Sequence, residues 1–406
     1  MKIASYAQGH CLFNTVEVIV EQTSVTRLIP STQVRVAEAV STRIVVLDQL
    51  RGIAMILMAL EHVAYFANVK LQAESFGGVR PDLPPLPNVL VGMLTHQASG
   101  IFFTLVGTSI AYFEASRRRR SWTEWQISSF LVTRALILLV LDQVVGLFGW
   151  KHSLTFDVLS AIGFSLILLS ILRLLPLRVI AVTAIVLFLL YPLLVQAFPY
   201  RPDQPHTILL SILLDYKAGG VPRVEFAALS RLSLVLIGFV GGHWLQQRKF
   251  AISARLIWIA LAGLIIAFVL RLLGGYGNFL PYQPNWSPIY FFIENKQPPS
   301  IVFLLSNFSI ALIWLVALNA WQRHINDVVR EVLTVFGQSS LFFYTAHVFI
   351  YRYVGTQLIP QTFLSGGNGL GRAFFDCALG LTILYPACLV YRHLRQKYPC
   401  SIIAFL

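Results

Sequence analysis

The chain has 406 residues, of which 56 % are apolar types, 13 % aromatic and only 12 % charged, and it carries a net charge of +13. Soluble domains run near a quarter charged, so a soluble enzyme of this size is excluded, and the apolar content excludes a disordered chain. The basic excess then belongs at a membrane surface rather than on nucleic acid, and Cys11, Cys377, Cys388 and Cys400 form no CxxC or metal-ligand spacing, so neither a disulfide framework nor a metal is expected.

Residues 1–44 have ordinary polarity and no compact basic-then-apolar signal pattern, and are expected to form a poorly ordered cytoplasmic extension ahead of a membrane domain over 45–406. From there, runs of the roughly 20 residues needed to cross a hydrocarbon core recur about ten times. They lie near 49–68, 89–113, 128–149, 155–174, 178–198, 227–246, 254–273, 300–321, 339–358 and 372–392. The expected fold is all-α, a polytopic integral membrane protein of about ten transmembrane helices. The apolar stretch 206–216 is too short to span and reads as interfacial or re-entrant.

Basic residues sort to alternate links. Arg117 to Arg120, Arg173 and Arg178, Arg248, Lys249 and Arg255, Arg323 and Arg330, and the tail residues Arg392, Arg395 and Lys397 all fall on one side of a ten-span chain. That side is expected to be the cytoplasm, with both termini inside a multi-pass protein of the cell (inner) membrane. The opposite links, 70–88, 199–226, 274–299 and 359–371, are richer in Pro, Gly and aromatics.

A charge at the centre of a spanning helix costs roughly 2.5–3.5 kcal/mol, so each one needs a partner or a task. The first span, VVLDQLRGIAMILMALEHVAYF, concentrates them. Asp48, Arg51, Met55, Met58 and His62 follow one another at helical spacing and share one stripe. At 1.5 Å per residue the stripe covers about 21 Å, from an Asp48–Arg51 couple near the cytoplasmic face to His62 near the outer face. Glu61 adjoins His62 but points about 100° away from it. In the second span His96 is expected at the depth of His62, and Gly100 and Gly107 admit close approach of another helix. Two imidazoles at one depth suggest general base or nucleophilic chemistry. Arg134 and Asp142 of the third span read as an ion pair. The ninth span adds a stripe of Ser340, Tyr344, His347 and Tyr351, with His347 near mid-membrane.

The ordered series LDQLRGIAMILMALEHV, FFTLVGTSIA, DVLSAIGFSLILL, KQPPSIVFLL and FGQSSLFFYTAHVFIY resembles the heparan-α-glucosaminide N-acetyltransferase catalytic-domain family, and most closely its uncharacterised bacterial branch, over roughly residues 44–406. The resemblance implies transfer of acetyl from cytoplasmic acetyl-CoA to an amine or hydroxyl acceptor near the other face, assisted by a histidine. Eukaryotic members carry that histidine in the loop joining spans one and two. Here that loop, VKLQAESFGGVRPDLPPLP, has none, so His62 and His96 stand in on depth and chemistry alone.

The expected function is therefore an integral-membrane acyltransferase acting on a sugar or envelope acceptor. His62, His96 and Glu61 are its expected catalytic residues, and Arg51, Asp48 and Arg134 the acetyl-CoA-binding ones. His347, Tyr344 and Tyr351 are expected at the substrate pocket. Expected partners are the lipid bilayer and a small-molecule or glycan acceptor, with a homo-oligomer left open. The alternative is a secondary transporter or exporter relaying protons through the same Asp, Arg and His groups.

Overall fold

A computed structural model describes residues 31–152, 154–198, 207–215, 221–248, 252–360, 363–364 and 366–398. The expected N-terminal extension lies outside the described residues up to position 30. Helix α1, Ser31–Phe66, includes the remaining positions 31–44 of that extension.

All ten expected apolar stretches are helical, yet seven helices among the described residues are long and apolar enough to cross a membrane. They are α2 with α3 (Leu86–Thr95 and Gln97–Arg118), α4 (Glu124–Val144, prolonged by a π-helical turn to Trp150), α6 (Leu177–Ala197), α8 (Ala228–Gln247), α9 (Leu256–Leu273), α10 (Ile301–Trp321) and α13 (Leu370–Lys397). The pair α11 (Asp327–Gln338) and α12 (Ser340–Tyr353, prolonged to Leu358) bends by 92° and makes an eighth if taken as one span. The count of ten is not reached on length and composition. Helix α5, Val158–Leu172, has only 15 residues, and α1 carries Asp48, Arg51 and Glu61 in its apolar half. The stretch at 206–216 contains a short helix, α7, at Thr207–Leu213.

Burial separates inner from outer helices. In α8, 67 % of the most apolar window is buried, against 28 % in α6 and α9, whose Val182, Ile185, Ile265 and Leu272 are exposed on the lipid side. α1 is central and packs against α2, α3, α10, α11, α12 and α13. Asp48, Arg51 and Glu61 are thus sheltered by protein, as charges at membrane depth need to be.

Described parts of the links opposite the basic ones join in two small parallel sheets. Strand β1 (Glu74–Phe76) pairs in parallel with β4 (Glu294–Gln297), and β2 (Thr155–Phe156) with β3 (Arg223–Val224). Arg271, at the end of α9, is the pin of the link before β4. Its guanidinium donates to the carbonyls of Phe291 (2.7 Å), Leu280 (2.5 Å), Tyr290 (2.9 Å) and Ile293 (2.7 Å) and to Asn278 Oδ1 (3.2 Å).

The close approach expected at Gly100 and Gly107 is realised twice. Gly100 faces Asn307 of α10, while Gly107 of α3 and Gly238 of α8 lie against each other's backbones at the Val235 and Thr104 carbonyls. Small residues at such a crossing let two backbones touch. Gly241, three residues on, meets nothing within 4 Å. Gly238→Ala is therefore expected to cost about 1–3 kcal/mol and lower the thermal unfolding midpoint in detergent, whereas Gly241→Ala leaves it unchanged or raised.

Candidate functional site

The site starts from α1, whose polar stripe borders two cavities, each of about 230 Å³. One lies at the end bearing Arg51 and the other at the end bearing His62.

In the second cavity, His62 Nδ1 lies 2.7 Å from Nε2 of His347 on α12. His347 is fully buried, and its Nδ1 lies 2.6 Å from the Tyr344 carbonyl and 3.1 Å from that of Phe343. A carbonyl only accepts, so Nδ1 of His347 carries the proton and its Nε2 presents a lone pair. With both rings neutral, His62 Nδ1–H donates to that lone pair. His62 Nε2 is then unprotonated, on a ring that lines the cavity. Trp150, placed by the π-helical turn of α4, meets the His62 ring edge-on at 5.0 Å and stacks on Phe66. A single backbone-anchored chain of hydrogen bonds thus orients one basic nitrogen.

Beside it sits a charged cluster. Lys296 of β4 is buried and donates to Glu61 Oε1 (2.9 Å) and Glu74 Oε1 (2.8 Å). Burial alone would depress the Lys296 ammonium, but the two carboxylates overcome it and hold it above the ordinary lysine range. Buried Arg231 of α8 donates to the Lys296 carbonyl (3.2 Å), with its guanidinium over the rings of Phe103, Phe226 and Phe303. His152, Arg223 and Glu225 form the far wall, where Arg223 pairs with Glu225. Three buried polar atoms on cavity-lining residues, His96 Nδ1, Trp150 Nε1 and Gln297 Oε1, have no hydrogen-bond partner among the described residues.

The first cavity is lined by three guanidinium groups, Arg51, Arg134 and Arg395. Arg51 donates to Asp48 (2.8 Å), Ser109 (2.7 Å) and the Gly337 carbonyl (3.2 Å), and so is tied to α3 and to the end of α11. The first turn of α12, Ser340 and Leu341, borders the same space and adds the positive end of a helix dipole. The remaining lining is largely apolar, from α3, α4 and α5.

The expected site residues divide between the two cavities and the packing around them. His96 stands at the break between α2 and α3 and lines the second cavity. It lies against Gln97 (2.7 Å) and at 4.0 Å from Glu74, while the ring paired with His62 is His347. Tyr344 lines the cavity, but Tyr351 is buried one turn beyond, donating to the Cys377 carbonyl (3.1 Å), and lies outside it. Asp48 holds Arg51 and does not line the first cavity. Arg134 and Asp142 are not a pair: Asp142 accepts from the Asp157 backbone (2.7 Å) and Ser160 (2.5 Å), and Arg134 faces the cavity. Lys296, Glu74, Trp150 and Arg395 were not singled out as site residues. In the sequence, KQPPS carries only a family resemblance and Arg395 only a place on the basic side.

Apolar helices around a sheltered polar core, with one cavity lined by arginines and another by an oriented imidazole, define a polytopic membrane protein with two polar cavities inside its helical bundle. Over residues 44–392 the chain matches the family described as an acyltransferase domain. It belongs to that acyltransferase-3 family, which includes heparan-α-glucosaminide N-acetyltransferase-like transmembrane acyltransferases, and the match does not single out a branch. No curated protein matches the chain. Among the described residues no group of three His, Cys, Asp or Glu side chains is placed to hold a metal ion.

Removing the shared cation leaves buried Glu74 and part-buried Glu61 side by side without a counter-charge, at a cost of about 3–5 kcal/mol. Lys296→Met is accordingly expected to lower the thermal midpoint well below the parent, and adding Glu74→Gln to recover part of the loss. A Lys296→Met protein as stable as the parent would contradict the pairing.

Proposed function

We propose that the protein transfers an acetyl group from acetyl-CoA, bound in the arginine-lined cavity, to a hydroxyl or amine of a sugar or envelope acceptor held beside His62. The observation that carries this reading is the His62–His347 pair, which leaves His62 Nε2 as a fixed base at the cavity wall. Arginine forks suit the pyrophosphate and phosphate groups of the donor, and Arg51, Arg134 and Arg395 converge where those groups would lie. The unpartnered atoms of His96, Trp150 and Gln297 suit a polar, hydroxyl-bearing acceptor.

In the proposed reaction the acceptor oxygen or nitrogen attacks the thioester carbonyl while its proton passes to His62 Nε2. The tetrahedral adduct collapses, the C–S bond breaks, and the thiolate takes that proton to leave as the free thiol. His347 touches no reacting atom. It holds the His62 ring in one orientation and shares the charge that forms there.

With the basic links inside, the arginine-lined cavity opens to the cytoplasm and the His62 cavity to the opposite face, in a cell-membrane protein whose termini are both cytoplasmic. On this reading α1 and α5 also cross, giving ten spans. The bilayer and a small or glycan acceptor are the partners. Family membership sets acyl transfer above the transport alternative.

Two measurements test the reading on purified protein in lipid nanodiscs. The first follows thiol release from acetyl-CoA in the presence of candidate acceptors. His62→Ala is expected to lower kcat by about 10²–10⁴-fold, and His347→Ala to lower it less with KM for the donor unchanged. Full activity in His62→Ala overturns the site. The second is titration of CoA: Arg134→Ala is expected to raise Kd roughly tenfold, the scale of one charge-assisted phosphate contact, with a weaker dependence on salt than the parent.

A further inference from the structure

The two cavities meet at one side chain. Among the described residues, Phe102 of α3 is the single one that lines both of them. One turn earlier, Ala98 and Ser99 face the His62 cavity, and one turn later Val106 faces the arginine cavity. The same changeover occurs at that level on the neighbouring helices. On α1 it falls between Arg51 and Ala54, and on α12 between Leu341 and Tyr344. Phe102 therefore stands at a common plane of division rather than at an irregular corner of one pocket.

Its surroundings fit a movable partition. Phe103 is fully buried in the core, whereas Phe102 is only half-buried, its exposed part bordering the two open spaces. A phenyl ring offers no hydrogen-bond donor or acceptor, so at this position it interrupts any file of water between the two sides. From Arg51 to His62 the helix rises about 16 Å. A donor anchored by its phosphates at the arginines must therefore send its thioester past this ring to come within reach of His62.

We propose that Phe102 is the septum between the two compartments and the residue that limits the size of the acyl group passed from one to the other. The size limit rests on the acyl-transfer reading above; the septum rests on the cavity geometry alone. Rotation of the ring admits a two-carbon acyl group. Longer chains meet the ring and are excluded.

The test uses the full-length protein in sealed vesicles of uniform orientation, with the native cysteines replaced. A single reporter cysteine is introduced, Ser99→Cys for the His62 cavity or Val106→Cys for the arginine cavity. With Phe102 present, a membrane-impermeant thiol reagent is expected to modify Ser99→Cys from one side only and Val106→Cys from the other. In Phe102→Ala each reporter should react from both sides, and in Phe102→Trp sidedness should be kept. Sidedness that survives Phe102→Ala overturns the septum. In parallel, thiol release from acetyl-, butyryl- and octanoyl-CoA is measured in nanodiscs. Phe102→Ala should raise the octanoyl-to-acetyl ratio of kcat/KM by at least about tenfold, the lower end of what one methylene is worth in a fitted slot. An unchanged ratio in an active Phe102→Ala enzyme overturns the size limit. If the wild-type protein releases thiol from none of the three donors, the acyl-transfer reading and with it the size limit fall, while the labelling still decides the septum.

Discussion

A polar group at membrane depth has to find its hydrogen bonds inside the protein, and the site is organised around one such debt. The carbonyls of Phe343 and Tyr344 take the Nδ1 proton of His347, which turns its other nitrogen into an acceptor and so fixes the tautomer of His62. Nothing in this chain of bonds depends on solvent. The anchor is backbone within a helix, so the orientation of the base is as rigid as α12 itself. Around it, α1 contributes both the imidazole and, three turns earlier, the arginine of the other cavity. One helix therefore sets the distance between the two halves of the proposed reaction.

Much of this was legible in the sequence, because charges are scarce in the apolar spans and stand out. The stripe of Asp48, Arg51 and His62 follows from helical spacing alone, and Arg51 and His62 do line separate cavities on one helix. The family was legible too, from an ordered series of short segments. Pairings between elements were not. His62 and His96 were matched by counting residues along straight, consecutive helices. His96, at the break between α2 and α3, lines the same cavity as His62, while the ring bonded to His62 is His347, on α12 beyond the 92° bend. Arg134 and Asp142 share a helix, but their bonds are set by the neighbours of each, which spacing does not reveal.

The loops carry the least readable part. Glu74 and Lys296 lie 222 positions apart and meet because β1 and β4 pair. No local pattern announces that contact. A lysine in a Pro-rich link looks like a solvated charge until its two carboxylates are known. Once they are, the cluster explains why two distant links close over the same cavity, with Arg231 holding the Lys296 carbonyl from below.

Arg271 has a wider meaning for the link between α9 and β4. Four backbone carbonyls and an asparagine oxygen there are answered by one guanidinium. A segment whose acceptors are satisfied from within makes little demand on water, so it can sink to headgroup depth without a dehydration penalty. A lipid boundary that shifts with bilayer thickness therefore crosses, at these five positions, acceptors that are already bonded.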